Sequence, residues 1–514
     1  MDSNGTSINA GGQASLRSRS QGKGRRAALV AGSKLALYGF VLYAVFAPHS
    51  IAGAEIALAL VALGWVIRTL ATRRTGFRRT PQDLPLLLFL AWTLLSAFLS
   101  EEPGISLAKL QSVCVVFLFY LTQAALKRRW ALPLVLLMIV SGVAGVVWSV
   151  VDIARGRGVR IEEMARDSPF RLTPVRAGDA VWRIGQRRVS SVAEIDAAIK
   201  DAPVDAPLSL SFITQGEHAE WPSLPVTDET RARPSPSGLV GAGPTHRFRA
   251  SGWTRHYETF SETLQVLAQL ALGLALALSR RERNGRGWLM WLGFAASLVL
   301  TLGIMLTAMR TVLVAFSIGA CVITWRVARK RDRLFVYAVI LLLLGAGALA
   351  VWRTRMTGAL SFQDASTSLR LQVAGVALKR LKAHPFFGHG MDAVKKHWTE
   401  WGFPGTDVIH MHSTPLQLAF DRGLPALLFW LWIIASFWRQ TTRAETRERD
   451  STDATRHGLL LGATGALVGL FSSSLVNYNF GDAEVALLFW WLMGITAEIN
   501  RDGQDIKQGD DVEP

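Results

Sequence analysis

Two histidines, His410 and His412, lie in a polar stretch that leads directly into an apolar segment beginning at Leu416. At such a boundary between water and lipid, a histidine can accept or release a proton near neutral pH. The spacing would also suit a metal if His384 and His389 joined the group, but no cysteine or acidic residue stands at ligand spacing beside them. The sequence therefore favours acid–base chemistry, and we predict neither a metal nor a cofactor.

A second set of side chains could bind an anion, because an arginine fork holds phosphate through two parallel hydrogen bonds. Arg310 is the only basic residue in any short loop predicted on the outer side of the membrane, where an arginine without an acidic neighbour usually has an anion to bind. A snorkelling or juxtamembrane arginine is the alternative, and Arg370 could equally be a solvated structural residue. The candidates are Arg247, Arg249, Arg255, His256, Arg310 and Arg370.

The elements that must position these side chains are membrane helices. Half of the 514 residues are hydrophobic and 18% are charged, against about 25% in soluble domains. Apolar runs recur that are long enough to cross a bilayer, so we predict an all-α polytopic membrane protein with about twelve transmembrane helices. The predicted spans are 33–48, 52–70, 83–99, 107–126, 131–152, 258–279, 287–305, 308–326, 333–352, 413–437, 457–476 and 482–498.

The charged residues predict the orientation. The net charge is +17, but the basic residues occupy alternate loops, which indicates cytoplasmic loops rather than a nucleic-acid partner. The termini, a disordered 1–33 and an acidic tail 499–514, are then cytoplasmic. The segments 153–256 and 353–412 face the periplasm of a bacterial inner membrane. The predicted divisions are helices 1–5 in 34–152, helices 6–9 in 257–352 and helices 10–12 in 413–498.

The first periplasmic segment contains a small α+β module. Strands are predicted at AVWRIG and PLSLSFIT, and Ser191 with Glu194 forms a capping box for a helix through Lys200. The pattern over Gly158–Val226 resembles a bacterial PDZ domain, which implies a peptide partner added at a sheet edge. A purely structural insert is an equal alternative. The following RARPSPSGLVGAGPT is typical of a linker.

The stretch MHSTPLQLAFDRGL, Met411–Leu424, resembles the signature of the O-antigen ligase and polymerase superfamily. In that superfamily a periplasmic histidine followed by a polar residue opens a membrane helix, and an acidic residue and a glycine follow. His412 is the matching histidine, and His410 is not. The resemblance covers about Leu35–Asn500 without the insert and is strongest in Asp364–Trp430.

Three further stretches carry the resemblance. Arg249 and Gly252 match, with Glu258 in place of the usual asparagine. Arg310 matches an Arg turn between two spans, with methionine at 309 in place of serine. The segment Ser366–Val394 matches a Ser-x-Arg loop, an amphipathic helix and a Pro-x-x-Gly-x-Gly turn at Pro385, Gly388 and Gly390; Leu371, Val373, Val376, Ala377 and Leu381 recur at helical spacing.

The resemblance implies an inverting, metal-independent transfer of a glycan from undecaprenyl pyrophosphate to a hydroxyl of the lipid A core oligosaccharide. His412 would be the catalytic base, and Arg249 and Arg310 would bind the pyrophosphate. Candidate substrate-binding residues are Arg247, Arg255, His256, Arg370, His410 and Asp421. A glycan polymerase and a protein O-oligosaccharyltransferase share the same signatures.

Two other classes remain as alternatives. A transporter of lipid-linked glycans would use charged residues within the membrane, for which Asp421 and Arg422 are the candidates. A membrane-anchored PDZ adaptor would leave the outward arginines and His412 unexplained.

Overall fold

The computed structural model describes residues 7–203, 207–214, 216–254, 256–280, 287–327, 330–356, 362–405, 410–449 and 453–500. Most of these residues are helical. The helices are α1 Ser7–Phe46, α2 Ile51–Thr72, α3 Asp83–Phe98, α4 Pro103–Lys109, α5 Phe117–Ala125, α6 Ala131–Arg155, α7 Val192–Lys200, α8 Asp228–Ala232, α9 Tyr257–Ser279, α10 Gly287–Leu306, α11 Arg310–Val327, α12 Lys330–Met356, α13 Phe362–Leu381, α14 Ala393–His397, α15 Thr414–Glu448, α16 Ala454–Ser474 and α17 Ala483–Ile499. Short 3-10 helices cover Leu110–Val116, Arg128–Trp130, Pro169–Leu172 and Asn479–Gly481.

In the described parts of the chain, nine helices are long and apolar enough to cross a membrane. They agree with nine of the predicted spans and support a multi-pass membrane protein. The predicted spans at 83–99 and 333–352 correspond to shorter apolar helices, Asp83–Phe98 and Arg333–Ala346. The last predicted span is α17, which has 17 residues. The count of twelve therefore stays a prediction.

The N-terminal region differs from the prediction of disorder through residue 33. Helix α1 begins at Ser7. Residues 23–30 (KGRRAALV) contain mainly good helix formers and join the apolar span, which therefore begins before residue 33. The acidic tail after residue 500 lies outside the described residues.

Helix α9 forms the centre of the bundle and is buried almost throughout. Small residues let α16 approach it closely: a Cβ on Gly273 would lie 2.4 Å from the backbone nitrogen of Gly462. Such small-residue contacts are a common way for membrane helices to pack. At the N-terminal end of α9, Glu262 Oε1 lies 3.3 Å from Nδ2 of Asn477 in the loop that follows α16.

Helix α15 is kinked where its sequence reads Asp-Arg-Gly-Leu-Pro. Gly423 has φ 81°, a left-handed conformation that favours glycine, and a Cβ there would lie 1.8 Å from the carbonyl oxygen of Phe386. The freed backbone is partly satisfied by the glycine turn, since Leu424 N donates to Pro385 O at 2.8 Å. The Pro-x-x-Gly-x-Gly turn therefore packs on the kink.

Helix α13 lies in the segment predicted to form an amphipathic helix, and several of the named apolar residues are packed. Val373, Ala377 and Leu381 are buried, and Val376 packs beside them. Leu371 is the exception, because its side chain is 69% exposed.

The segment between α6 and α9 contains one antiparallel sheet in the order β5-β4-β2-β1-β6, with β3 paired to β2. Its strands are β1 Val159–Met164, β2 Ala180–Ile184, β3 Arg187–Arg188, β4 Leu208–Thr214, β5 Glu217–Leu224 and β6 Leu239–Ala242. The Ser191 cap is confirmed, since its Oγ accepts a hydrogen bond from Glu194 N at 3.2 Å.

Two features of the sheet were not expected. The sheet continues past Val226, because the segment interpreted as a linker supplies β6, paired to β1. Strand β4 is buried on both faces rather than one: Ile213, on the face opposite Leu210 and Phe212, packs with Ala180 and Phe248.

Candidate functional site

The loops that carry the predicted site residues meet at one end of the helix bundle. Ala250 N donates to Leu306 O at 3.0 Å, which joins the segment before α9 to the end of α10. Arg370 Nη1 donates to Val476 O at 3.3 Å, and Thr414 N donates to Asn477 O at 3.1 Å. The loop after α16 thus connects α13 with the start of α15.

His412 lies at the entrance of α15, immediately before the capping residue Ser413. Its backbone is left-handed, with φ 51°, a conformation that costs energy for a residue with a side chain and that clusters at functional sites. Two hydrogen bonds from the first turns of α15 hold this loop. Met411 N donates to Gln417 Oε1, and Gln417 Nε2 donates to Asp421 Oδ1, both at 2.8 Å. Asp421 is 3% exposed, so it supports the loop instead of facing a substrate.

His410 contacts His412 directly. The rings have centroids 4.4 Å apart, and His412 N donates to His410 Nδ1 at 3.2 Å. Because Nδ1 accepts this bond, the neutral ring of His410 carries its proton on Nε2. His410 therefore helps to hold the left-handed backbone of His412.

Both rings are kept neutral. Burial lowers the pKa of His412 to about 3, assisted by His410 and the positive charge of Arg370. Burial also lowers the pKa of His410 to about 4, with Arg370, Lys395 and His256 adding to the effect. In the described parts of the chain, neither ring has a carboxylate partner. A neutral imidazole at this position can accept a proton.

Arg370 is the cation that influences the pKa of both histidines. It lies on α13, donates to Val476 O, and lowers the pKa of both histidines. The sequence supported a site role for Arg370 only weakly, whereas in the structure its charge acts on both histidines.

Arg249, predicted to bind pyrophosphate, is already engaged by the insert. Its Nη2 lies 2.9 Å from Glu217 Oε1, its backbone nitrogen donates to Gly216 O at 2.8 Å, and its guanidinium lies 4.5 Å from the ring centroid of Tyr257. Glu217 opens strand β5. A phosphate at Arg249 would therefore have to replace the carboxylate of Glu217.

Arg310 is the exposed first residue of α11. Its neighbour Thr311 meets the loop after α16, since Asn477 Nδ2 lies 3.3 Å from Thr311 Oγ1. This loop also contacts the start of α15, so Arg310 and His412 border the same loop.

The remaining candidates lie before α9. Arg247 is exposed, and its backbone nitrogen donates to Thr245 Oγ1 at 3.3 Å. His256 is exposed, stacks on Tyr257 at 4.8 Å, and acts electrostatically on His410. Arg255 lies outside the described residues.

Glu262 was missed by the sequence analysis. It is fully buried on α9, and Asn477 Nδ2 lies 3.3 Å from its Oε1. Asn477 thus bridges Glu262, Thr311 and the backbone of Thr414. The available signal was an acidic residue inside an apolar helix, which usually marks a functional or paired position.

One group among the described residues could hold a metal: Glu101, His384 and His389, whose ligand atoms lie within 4.8 Å of one another. The sequence suggested no acidic partner for these histidines, because Glu101 comes from the distant loop after α3. Glu101 Oε1 lies 2.6 Å from His389 Nδ1 and 3.3 Å from His384 Nε2. Charge-assisted hydrogen bonds between the carboxylate and the two imidazoles account for both distances.

The O-antigen ligase family model matches residues 294–431. The matched part contains Arg310, Arg370, His410, His412 and Asp421, and it supports the resemblance to O-antigen ligase-like membrane glycosyltransferases. The match covers a shorter part of the chain than the resemblance described from the sequence. It begins after Arg247, Arg249 and His256. None of the curated proteins compared with this chain matches it.

Proposed function

We propose that this protein transfers a glycan from undecaprenyl pyrophosphate to an acceptor hydroxyl, in the manner of an O-antigen ligase, at the periplasmic face of the bacterial inner membrane. The lipid A core oligosaccharide is the proposed acceptor. The observation that carries the proposal is His412 itself, held in a left-handed turn against His410 at the entrance of α15, with its pKa lowered by burial, inside the part of the chain that matches the family.

The chemistry follows from charge. The acceptor oxygen attacks the anomeric carbon, the bond from that carbon to the pyrophosphate oxygen breaks, and His412 takes the hydroxyl proton. Attack opposite the leaving group inverts the anomeric centre. Arg310 and Arg370 stabilise the negative charge that develops on the pyrophosphate. The anionic donor also offsets the positive charge near His412, which raises the proton affinity of the base once the donor is bound.

Arg249 joins the site in this scheme by exchanging partners. In the structure its guanidinium is bound to Glu217 of the small sheet domain. A pyrophosphate carries more negative charge than one carboxylate and can accept both arms of the fork. Donor binding would then release the carboxylate of Glu217 from the guanidinium, while the backbone hydrogen bond from Arg249 N to Gly216 O could remain.

A protein acceptor is the second candidate, and the same contact favours it. The small sheet domain, which contains β1 to β6, resembles a PDZ domain in its sequence pattern. Its Glu217 contacts Arg249, which is proposed to bind the pyrophosphate. A domain that binds a peptide strand would there bring a protein hydroxyl close to the donor. Glycan polymerisation remains the third possibility.

The test is the analysis of glycolipids and glycoproteins in a deletion strain. Loss of O-antigen from lipid A, with accumulation of lipid-linked glycan, is the expected result. Single-repeat glycans on lipid A would indicate a polymerase, and loss of protein glycosylation alone would indicate a protein acceptor. Unchanged glycans of every class would overturn the proposal.

The orientation has its own test. Thr399 and Thr446 are both exposed and lie near opposite ends of the bundle. In a background without native cysteines, Thr399→Cys should react with an impermeant thiol reagent in whole cells, whereas Thr446→Cys should react only after lysis. The reverse pattern would place the site in the cytoplasm.

A further inference from the structure

Strand β6 joins the sheet through β1 alone. The two strands are antiparallel, with Arg160 opposite Ala242, Ile161 opposite Gly241 and Met164 opposite Leu239. The other flank of β6 lies against α7: a Cβ on Gly241 would be 2.5 Å from Val159 Cγ1 and 3.0 Å from Val192 Cγ2. Residues 239–242 therefore lie in a groove between β1 and α7.

The segment before β6 is anchored along the same groove. Asp196 on α7 accepts a hydrogen bond from Ser237 N at 2.8 Å and from Ser235 Oγ at 2.9 Å. Ala165 N, just beyond β1, donates to Gly238 O at 2.8 Å. Backbone hydrogen bonds on one side and side-chain contacts on the other are how a groove receives an extended peptide.

One side chain of β6 serves as its apolar anchor. Leu239 is 6% exposed and belongs to the core of the domain, whereas the adjacent Val240 is 55% exposed. The residues around them, RPSPSGLVGAGPT, are rich in proline, serine and glycine, which have little preference for strands. The groove, rather than the sequence of the segment, accounts for its extended conformation.

We propose that the groove between β1 and α7 is a peptide-binding site that this chain fills with its own residues 234–242. Its exchange partner is an extended segment of another protein, with an apolar residue at the position of Leu239 and a small residue at the position of Gly241. The tethered segment holds the groove closed because a covalently attached ligand has a high effective concentration, in the millimolar range for short flexible tethers. This proposal does not depend on the transferase activity.

The experiment uses the purified full-length protein and a fluorescent peptide of the sequence RPSPSGLVGAGPT, with binding followed by anisotropy. Gly241→Val should force the tethered strand out, because the added side chain meets Val159 and Val192, and the free peptide should then bind at least tenfold more tightly than to the wild type. Gly243→Val is the matched control, since nothing lies within 4 Å of a Cβ at that position. It should behave like the wild type.

A second pair covers the case in which Gly241→Val does not fold. Leu239→Ala weakens the tethered segment but leaves the leucine of the peptide intact, so peptide binding should again rise; Val240→Ala should change little. A peptide with aspartate in place of the leucine should not bind to any variant. Equal peptide affinity for the wild type, Gly241→Val and Leu239→Ala would overturn the proposal.

Discussion

Two groups of histidines lie at the same end of the bundle, and they differ in their charged neighbours. His384, His389 and His397 are bound to carboxylates of the loop after α3: Glu101 holds the first two, and His397 Nε2 lies 2.8 Å from Glu102 Oε1. His410 and His412 have no such partner among the described residues, and the positive charge of Arg370 acts on both.

The difference separates His397 from His412 as a candidate base. Hydrogen bonds to Glu400 and Glu102 raise the pKa of His397, which favours its charged form and leaves it tied to the fold. His412 is driven to the neutral form by burial and positive charge. The carboxylate-bound group therefore fastens the 384–400 segment to the loop after α3, whereas the other group is available for proton transfer.

The largest effect is expected when a histidine from each group is removed in turn and the two variants are compared. His412→Ala removes the proton acceptor, so transfer should fall by at least about 10²-fold while donor binding persists, because the arginines still hold the pyrophosphate. Transfer and donor binding would be measured separately on purified, folded enzyme. His397→Ala is the control from the other group and should keep transfer within about threefold.

His410→Ala tests which of the two neighbouring histidines, His410 or His412, is the base. It removes one hydrogen bond to the backbone of His412, which is worth about 0.5–1.5 kcal/mol, so transfer should fall by no more than about tenfold. An inactive His410→Ala together with a nearly normal His412→Ala would reverse the assignment of the base.

The anion-binding role of Arg310 predicts an intermediate effect. Arg310→Lys keeps the charge but replaces a two-armed fork with a point charge, so transfer should fall by about tenfold or more. Arg447→Lys, an exposed arginine near the opposite end of the bundle, should be neutral. Full activity of Arg310→Lys would argue against two-armed binding of the pyrophosphate.

A small effect is expected from chelators. If Glu101, His384 and His389 are a hydrogen-bonded fastening, treatment with a strong chelator should leave transfer unchanged, and metal analysis of the purified protein should show no stoichiometric metal. Loss of transfer on chelation, with recovery on adding a metal and no recovery in Glu101→Gln, would replace the base mechanism with a metal site.

The sequence predicted those features that depend on neighbours along the chain. The cap at Ser191, strand β4, the buried face of α13 and the position of His412 at the start of α15 each follow from local pattern. Helical and strand periodicity and capping act over a few residues, so they can be identified without the fold.

The sequence could not predict contacts between distant segments. Glu217 reaches Arg249 only because the β4–β5 hairpin folds back on the segment before α9. Glu101 reaches His389 across most of the chain, and Glu262 meets Asn477 through the packing of α9 against α16. Strand β6 could not be predicted for another reason. The composition of this segment is typical of a linker, and pairing with β1 determines its extended conformation.

The most direct test of the central claim, that His412 is neutral and acts as the base, is the pH dependence of kcat/KM for transfer, which reports ionisations of the free enzyme. A histidine whose pKa is lowered to about 3 stays unprotonated well below the usual range. The account therefore predicts that kcat/KM stays level as the pH falls from 8 to about 5, with any loss from protonation of the base at more acidic pH. A tenfold loss per pH unit beginning near the ordinary histidine pKa of about 6.5 would show a base in an ordinary environment and would contradict the account.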